Sequence, residues 1–294
     1  MAPLRGEDFV FVVGSPRSGT TWLQRLLSCH PLVATGQESG VFDSYIGPQL
    51  RAWRRDMAPD STRPVGLGCH MTEAEFMAAL TAHMDALLAS MRVRIPEGGL
   101  FVEKTPSHAL YMREIAELMP GARFVHMLRD AREVITSMVV ASRTWGEDWA
   151  PRCARDAALL WARHVNAALA AGRELGPERV TLVRHEDLRA DTAAVLARLV
   201  RGFLRLDWED AAVAEAVERN LRRRGLDGMV RPGVPLPLGG EWSRRLGTDA
   251  APEPEGFAGG GGWRPGFVGR ISAWVAARRA MERAGYPWRQ PWRW

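Results

Sequence analysis

At 294 residues, 46% hydrophobic and 25% charged, the chain has the composition of a folded protein, with room for one large α/β domain or two small ones. No run approaches the ~20 apolar residues of a membrane-spanning helix, and residues 1–8 carry no apolar leader, so a cytoplasmic protein is expected. Cys29, Cys69 and Cys153 stand apart and offer neither a disulfide framework nor a metal site; the net charge of +5 is almost all arginine mixed with acids, which argues against a nucleic-acid stripe.

Val- and Phe-rich runs at 8–13, 33–34, 99–103, 122–128 and 178–184 read as strands. Helical patterns lie between them, at 22–27, 107–119, 131–141, 151–175 and 192–206. A further helix over 72–91 opens on a capping box, Thr72 with Glu75, and carries an apolar stripe of Met77, Leu80, Met84, Leu87, Leu88 and Met91. Strand and helix alternating in this way predict a mainly parallel sheet flanked by helices, in one α/β domain spanning the chain. The Gly/Pro-dense stretch 225–266, with four successive glycines at 259–262, is expected to be a mobile loop within it. Arginine and alanine richness is expected from G+C-rich coding, hence a bacterial source.

The first predicted strand runs into Gly14-Ser15-Pro16-Arg17-Ser18-Gly19-Thr20-Thr21-Trp22 and then a helix. A strand, a glycine-bracketed loop and a helix N-terminus form an anion cradle, because backbone N–H groups and the helix dipole point into it. Gly14 and Gly19 have the spacing of the Walker A loop, yet Thr20 stands where its lysine would be and Arg17 lies inside the loop.

Pro16 to Trp22 resembles the 5′-phosphosulfate loop of sulfotransferases that use 3′-phosphoadenosine 5′-phosphosulfate (PAPS) and release adenosine 3′,5′-bisphosphate (PAP). The resemblance implies a P-loop-like α/β fold and nucleotide contacts from Arg17, Ser18, Gly19, Thr20, Thr21 and Trp22. Arg123 to Asp130, followed by Ser137, resembles the family's 3′-phosphate motif and assigns Arg129 and Ser137 to that phosphate. Val183-Arg184-His185-Glu186-Asp187-Leu188 resembles the family's Arg-Tyr-Glu-Asp-Leu, with His185 near the adenine. Arg264-Pro265-Gly266 resembles the start of the C-terminal Arg-Lys-Gly segment; Arg264 and Gly266 carry over, with Arg270 as a substitute.

Lys104 is the only lysine in the chain, and Glu103-Lys104-Thr105-Pro106 resembles a segment of heparan sulfotransferases whose lysine lies at the reaction centre. Its ammonium is expected to stabilise charge on the leaving oxygen. Glu38, in Gly36-Gln37-Glu38-Ser39, stands where tyrosylprotein sulfotransferases carry a Gly-Glu-Glu segment and is the expected base. His108 is the rival base, with Asp43 and Glu103 as weaker alternatives. Trp53, Trp145 and Trp149 line an acceptor pocket or sit in the core.

These readings predict transfer of a sulfuryl group from PAPS to a hydroxyl, of a small molecule or carbohydrate, without a metal. A P-loop kinase-like enzyme and a non-catalytic binder of nucleotide or nucleic acid are the alternatives. The Trp/Arg-rich stretch 286–294 is expected to fold back on the domain.

Overall fold

The strands that carry these motifs lie side by side in one sheet. A computed structural model describes residues 6–58, 66–222 and 267–286. The 225–266 stretch, Arg264, Gly266, the side chain of Arg270 and residues 287–294 lie outside the described residues.

The strands are β1 (Phe9–Gly14), β2 (Val33–Thr35), β3 (Leu100–Glu103), β4 (Arg123–Leu128) and β5 (Val180–Arg184), all parallel, in the order β2-β3-β1-β4-β5. β1 is buried along its whole length because helices cover both faces of the sheet. Phe9, Phe11 and Val13 pack into one core; Val10 and Val12 pack into the other, against Leu23, Leu26 and Leu27 of α1 (Thr20–Leu27). The order of strands reverses about β1, which puts its carboxyl end at the crevice where open α/β sheets bind ligands.

On the first face lie α2 (Gly47–Asp56), α3 (Glu73–Arg92) and α4 (Met112–Leu118). The capping box is present, with the Thr72 N–H donating to Glu75 Oε2 at 2.7 Å and the Glu75 N–H to Thr72 Oγ1 at 3.3 Å. The buried stripe of α3 is Phe76, Leu80, Met84 and Leu88, while Met77, Leu87 and Met91 are only half-buried. Trp53 belongs to this core, stacked on Phe76 with ring centroids 4.3 Å apart.

Several boundaries differ from expectation. No helix was expected over 42–56, yet a π turn (Phe42–Ile46) runs into α2. Its stripe of Phe42, Ile46, Leu50 and Trp53 has helical spacing, but Gly47-Pro48 in its middle reads as a turn. The helix expected over 107–119 breaks at Tyr111, after a 3₁₀ segment (Pro106–Leu110) that lets the chain turn before α4. The remaining helices are α5 (Ala131–Ala141), α6 (Ala154–Leu175), α7 (His185–Ala190), α8 (Thr192–Ala197), α9 (Asp210–Arg222) and α10 (Phe267–Arg283). α8 continues into a π segment (Arg198–Leu204). α10 packs on α6 through Ala277, Ala280 and Met281 against a core that includes Trp161 and Val165. No described helix is long and apolar enough to cross a membrane.

Candidate active site

The loop between β1 and α1 is shaped by its glycines. A Cβ on Gly14 would sit 2.4 Å from the Met127 carbonyl oxygen on β4, and one on Gly19 would sit 2.6 Å from His185 Cδ2. Gly19 also has φ +95°, a left-handed conformation that a side chain disfavours. Arg17 adopts φ 71° despite its side chain. Its backbone carbonyl accepts from Arg129 Nη1 at 3.3 Å, its Nε donates to Ser137 Oγ at 2.9 Å, and its guanidinium lies 5.1 Å from the centre of the Trp145 ring. These contacts hold a strained residue in place.

The cradle is one donor smaller than expected. The Ser18 N–H is spent on the Ser15 carbonyl at 3.1 Å, closing the loop on itself. The first helical N–H groups, those of Thr20, Thr21 and Trp22, have no carbonyl one turn earlier in the helix and point out of its N-terminus. Ser18 Oγ is buried and has no hydrogen-bond partner among the described residues.

Arg17, Arg129 and Ser137 thus converge, although the sequence assigned them to opposite ends of one nucleotide. Arg129 also pairs with Glu133, 2.7 Å away and one helical turn on. His185 stands beside this group, edge-on to Trp22 with centroids 5.5 Å apart. Burial, aided by Arg129, pushes its imidazole down to about 4, so it is neutral at pH 7.

The second group gathers at the ends of β2 and β3. Lys104 is 3% exposed, and its Nζ forms an ion pair with the Glu38 carboxylate, which is 51% exposed. The segment carrying Glu38 is fixed on both sides. Before it, Gln24 Nε2 donates to Thr35 Oγ1 at 2.6 Å and to the Gly36 carbonyl at 2.7 Å. After it, the Ser39 N–H and hydroxyl both donate to Glu103 Oε1, at 3.2 and 2.8 Å, and the Gly40 N–H donates to Thr105 Oγ1 at 3.3 Å.

Glu103 is the anchor of that arrangement, not a base. Burial pushes its carboxyl up, but hydrogen bonds from the His108 ring, Thr105 and Ser39 oppose this and hold it below the ordinary carboxylate range. His108 is wholly buried and both ring nitrogens are engaged. Nε2 accepts the Phe42 N–H at 3.2 Å, so Nδ1 carries the proton and donates it to Glu103 Oε2 at 3.0 Å. Nothing in that pairing leaves His108 a lone pair for an incoming hydroxyl. Asp43 accepts from Ser107 Oγ at 2.5 Å. Glu38 is the carboxylate that combines exposure with contact to Lys104.

The two groups share one end of the sheet. Phe11 of β1 lies opposite Glu103 of β3, and Gly14 lies opposite Met127 of β4, so the loops after all three strands open on the same side. A model of the sulfotransferase family matches residues 9–210, which contain both groups in full. The chain belongs to the sulfotransferase family. It is 26% identical over 210 residues to the protein-tyrosine sulfotransferase of Drosophila melanogaster, covering 71% of this chain and 40% of that protein. It is also 26% identical over 233 residues to protein-tyrosine sulfotransferase 1 of Danio rerio, covering 76% and 62%. The chain spans about half the length of the curated relatives it matches. Its fold resembles the sulfotransferase domain of the Synechococcus PCC 7002 olefin synthase, with TM-score 0.58, 18% identity and 98% of both chains covered.

In this sulfotransferase-family chain the sequence undervalued Glu103, Ser39 and Thr105, which build the platform beneath Glu38. The hint was the unbroken Glu103-Lys104-Thr105 run at a strand end, where alternate side chains face opposite ways. His108→Ala should cost roughly 2–3 kcal/mol by stranding the Phe42 N–H and the Glu103 carboxylate. The rise of turnover with pH should keep its midpoint in that variant; loss of the rising limb would instead identify His108 as the base.

Proposed function

We propose that the chain transfers a sulfuryl group from PAPS to an acceptor hydroxyl. The observation that carries this reading is Lys104: the only lysine in the chain is buried at a strand end and paired with the half-exposed carboxylate of Glu38. The residues present suit the donor nucleotide. Ser18 Oγ is a buried hydroxyl without a partner among the described residues, and Arg17, Arg129 and Ser137 offer a fork of donors of the kind that matches phosphate and sulfate oxygens.

Arg17 and the N–H groups of Thr20, Thr21 and Trp22 hold the 5′-phosphosulfate. Arg129 and Ser137 take the 3′-phosphate, and Trp22 with neutral His185 borders the adenine. Glu38 accepts the proton of the acceptor hydroxyl as its oxygen bonds to sulfur. The bond from sulfur to the 5′-phosphate oxygen breaks, and Lys104 stabilises the negative charge left on that oxygen. The products are the sulfate ester and PAP. A tyrosyl peptide is the first acceptor to test, because the relatives are named protein-tyrosine sulfotransferases; small-molecule and carbohydrate hydroxyls come next.

The nucleotide site is tested by thermal unfolding with PAP, and separately with ATP and magnesium, at matched concentrations. PAP at a hundredfold excess over its wild-type Kd should add about 2.7 kcal/mol of stability, and Arg129→Ala, still binding but roughly tenfold weaker, should cut that shift to about half. A shift with ATP and magnesium but none with PAP would overturn the reading in favour of a kinase-like enzyme.

A further inference from the structure

The Arg-His-Glu-Asp-Leu segment contributes more than His185. Its next residue, Glu186, lies in the first turn of α7 and reaches across to the turn between β4 and α5. There the Asp130 N–H donates to Glu186 Oε1 at 2.9 Å. The same peptide group is held from its other edge, where the Arg129 carbonyl accepts from the buried indole Nε1 of Trp161 at 3.1 Å. One peptide plane is therefore gripped at both its oxygen and its nitrogen, by side chains from two different helices. That plane sets the direction in which Arg129 leaves the backbone and the angle at which α5, carrying Ser137, begins.

Glu186 is itself held. Its Oε2 accepts from the Tyr286 hydroxyl at 2.7 Å. Tyr286 follows α10 and is nearly buried, with its ring under the Arg184 guanidinium at 4.6 Å, while Arg184 Nη2 donates to the Ala284 carbonyl. Burial, together with the acceptor Glu186, raises the phenol and keeps its proton on. The link from the C-terminal helix to the turn is thus continuous: Tyr286, Glu186, the Arg129–Asp130 peptide, Arg129.

We propose that Glu186, oriented by Tyr286, is a positioning residue that aims Arg129 at the nucleotide, so that docking of the C-terminal helix sets nucleotide affinity. The inference rests on the reading of Arg129 as a phosphate ligand. Neither residue touches the nucleotide; both act through one peptide plane.

Calorimetric titration of PAP into the full chain tests this. Glu186→Ala should weaken PAP on the order of tenfold, equivalent to about 1.4 kcal/mol. Tyr286→Phe, which keeps the ring and loses the hydroxyl, should weaken it by about threefold. Glu186→Gln keeps an acceptor oxygen for the Asp130 N–H and should restore most of the affinity. In an Arg129→Ala background Glu186→Ala should add no further loss, whereas a purely structural role would weaken PAP by the same factor in either background. Equal factors would overturn the proposal. So would wild-type affinity in Glu186→Ala, or in Tyr286→Phe should Glu186→Ala fail to fold, provided Arg129→Ala still weakens PAP. Absence of PAP binding by the wild-type chain would overturn both this proposal and the assignment of Arg129.

Discussion

Lys104→Ala is expected to lower kcat by roughly 10²–10³-fold, the range for removing one preorganised donor from a developing oxyanion. PAP affinity should stay within about threefold of wild type on the same reasoning, since an interaction made mainly in the transition state leaves ground-state binding nearly untouched. The structure keeps the fold out of the question. Glu38, the partner of Lys104, is half-exposed, so water can solvate its carboxylate once the ammonium is gone. Lys104 is 3% exposed, and a planar guanidinium places its donors differently from a compact ammonium, so Lys104→Arg should not restore turnover. Single-turnover measurement with PAPS and an accepted substrate separates chemistry from product release. A Lys104→Ala rate close to wild type would remove the ammonium from the mechanism.

The parts of this site that the sequence displayed are those whose chemistry depends on local spacing. A strand, Gly14, Gly19 and a helix start are contiguous, so the loop was readable; the same holds for Arg129 at a strand end with Ser137 two turns into the next helix. Lys104 stood out because it is the only lysine among 39 basic residues and sits in a Glu-Lys-Thr-Pro run at a strand end. Long-range pairings were not readable. That Ser137 accepts from Arg17, 120 residues away, depends on β1 and β4 being neighbours, which a parallel sheet reached through long crossovers does not announce. The helix over 42–56 was missed for a different reason: Gly47-Pro48 reads as a turn in the middle of an apolar stripe whose period was nonetheless helical. His108, the rival base in the sequence, is wholly buried with both ring nitrogens engaged by Phe42 and Glu103, which the spacing from Lys104 did not announce.

Glu103→Gln tests that pairing, and its effect should be both large and dependent on pH. The substitution keeps the shape but cannot keep the hydrogen bonds. His108 Nε2 must accept from the Phe42 N–H, so its Nδ1 must donate. If the new amide oxygen takes the Ser39 and Thr105 donors, its NH₂ faces Nδ1–H, donor against donor. Stranding buried donors in this way should cost roughly 2–4 kcal/mol. The platform under Ser39 would loosen with it, so turnover should fall although Glu103 touches no reacting atom. The pH dependence follows from the carboxyl being held below its ordinary value of 4.5 by those hydrogen bonds. A depressed carboxyl stabilises the fold fully above the unfolded value and loses that contribution as pH falls toward the folded one. The stability difference between wild type and Glu103→Gln should therefore be constant from pH 7 to about 5. It should then shrink by up to about 1.4 kcal/mol per pH unit as pH falls below roughly 4.5, the slope for one proton. Taking the difference between the two proteins cancels the other carboxylates, which titrate alike in both. Denaturant unfolding at pH 7, 5, 4 and 3 measures it; a difference that stays flat down to pH 3 would show that Glu103 is not the ionised anchor of the site.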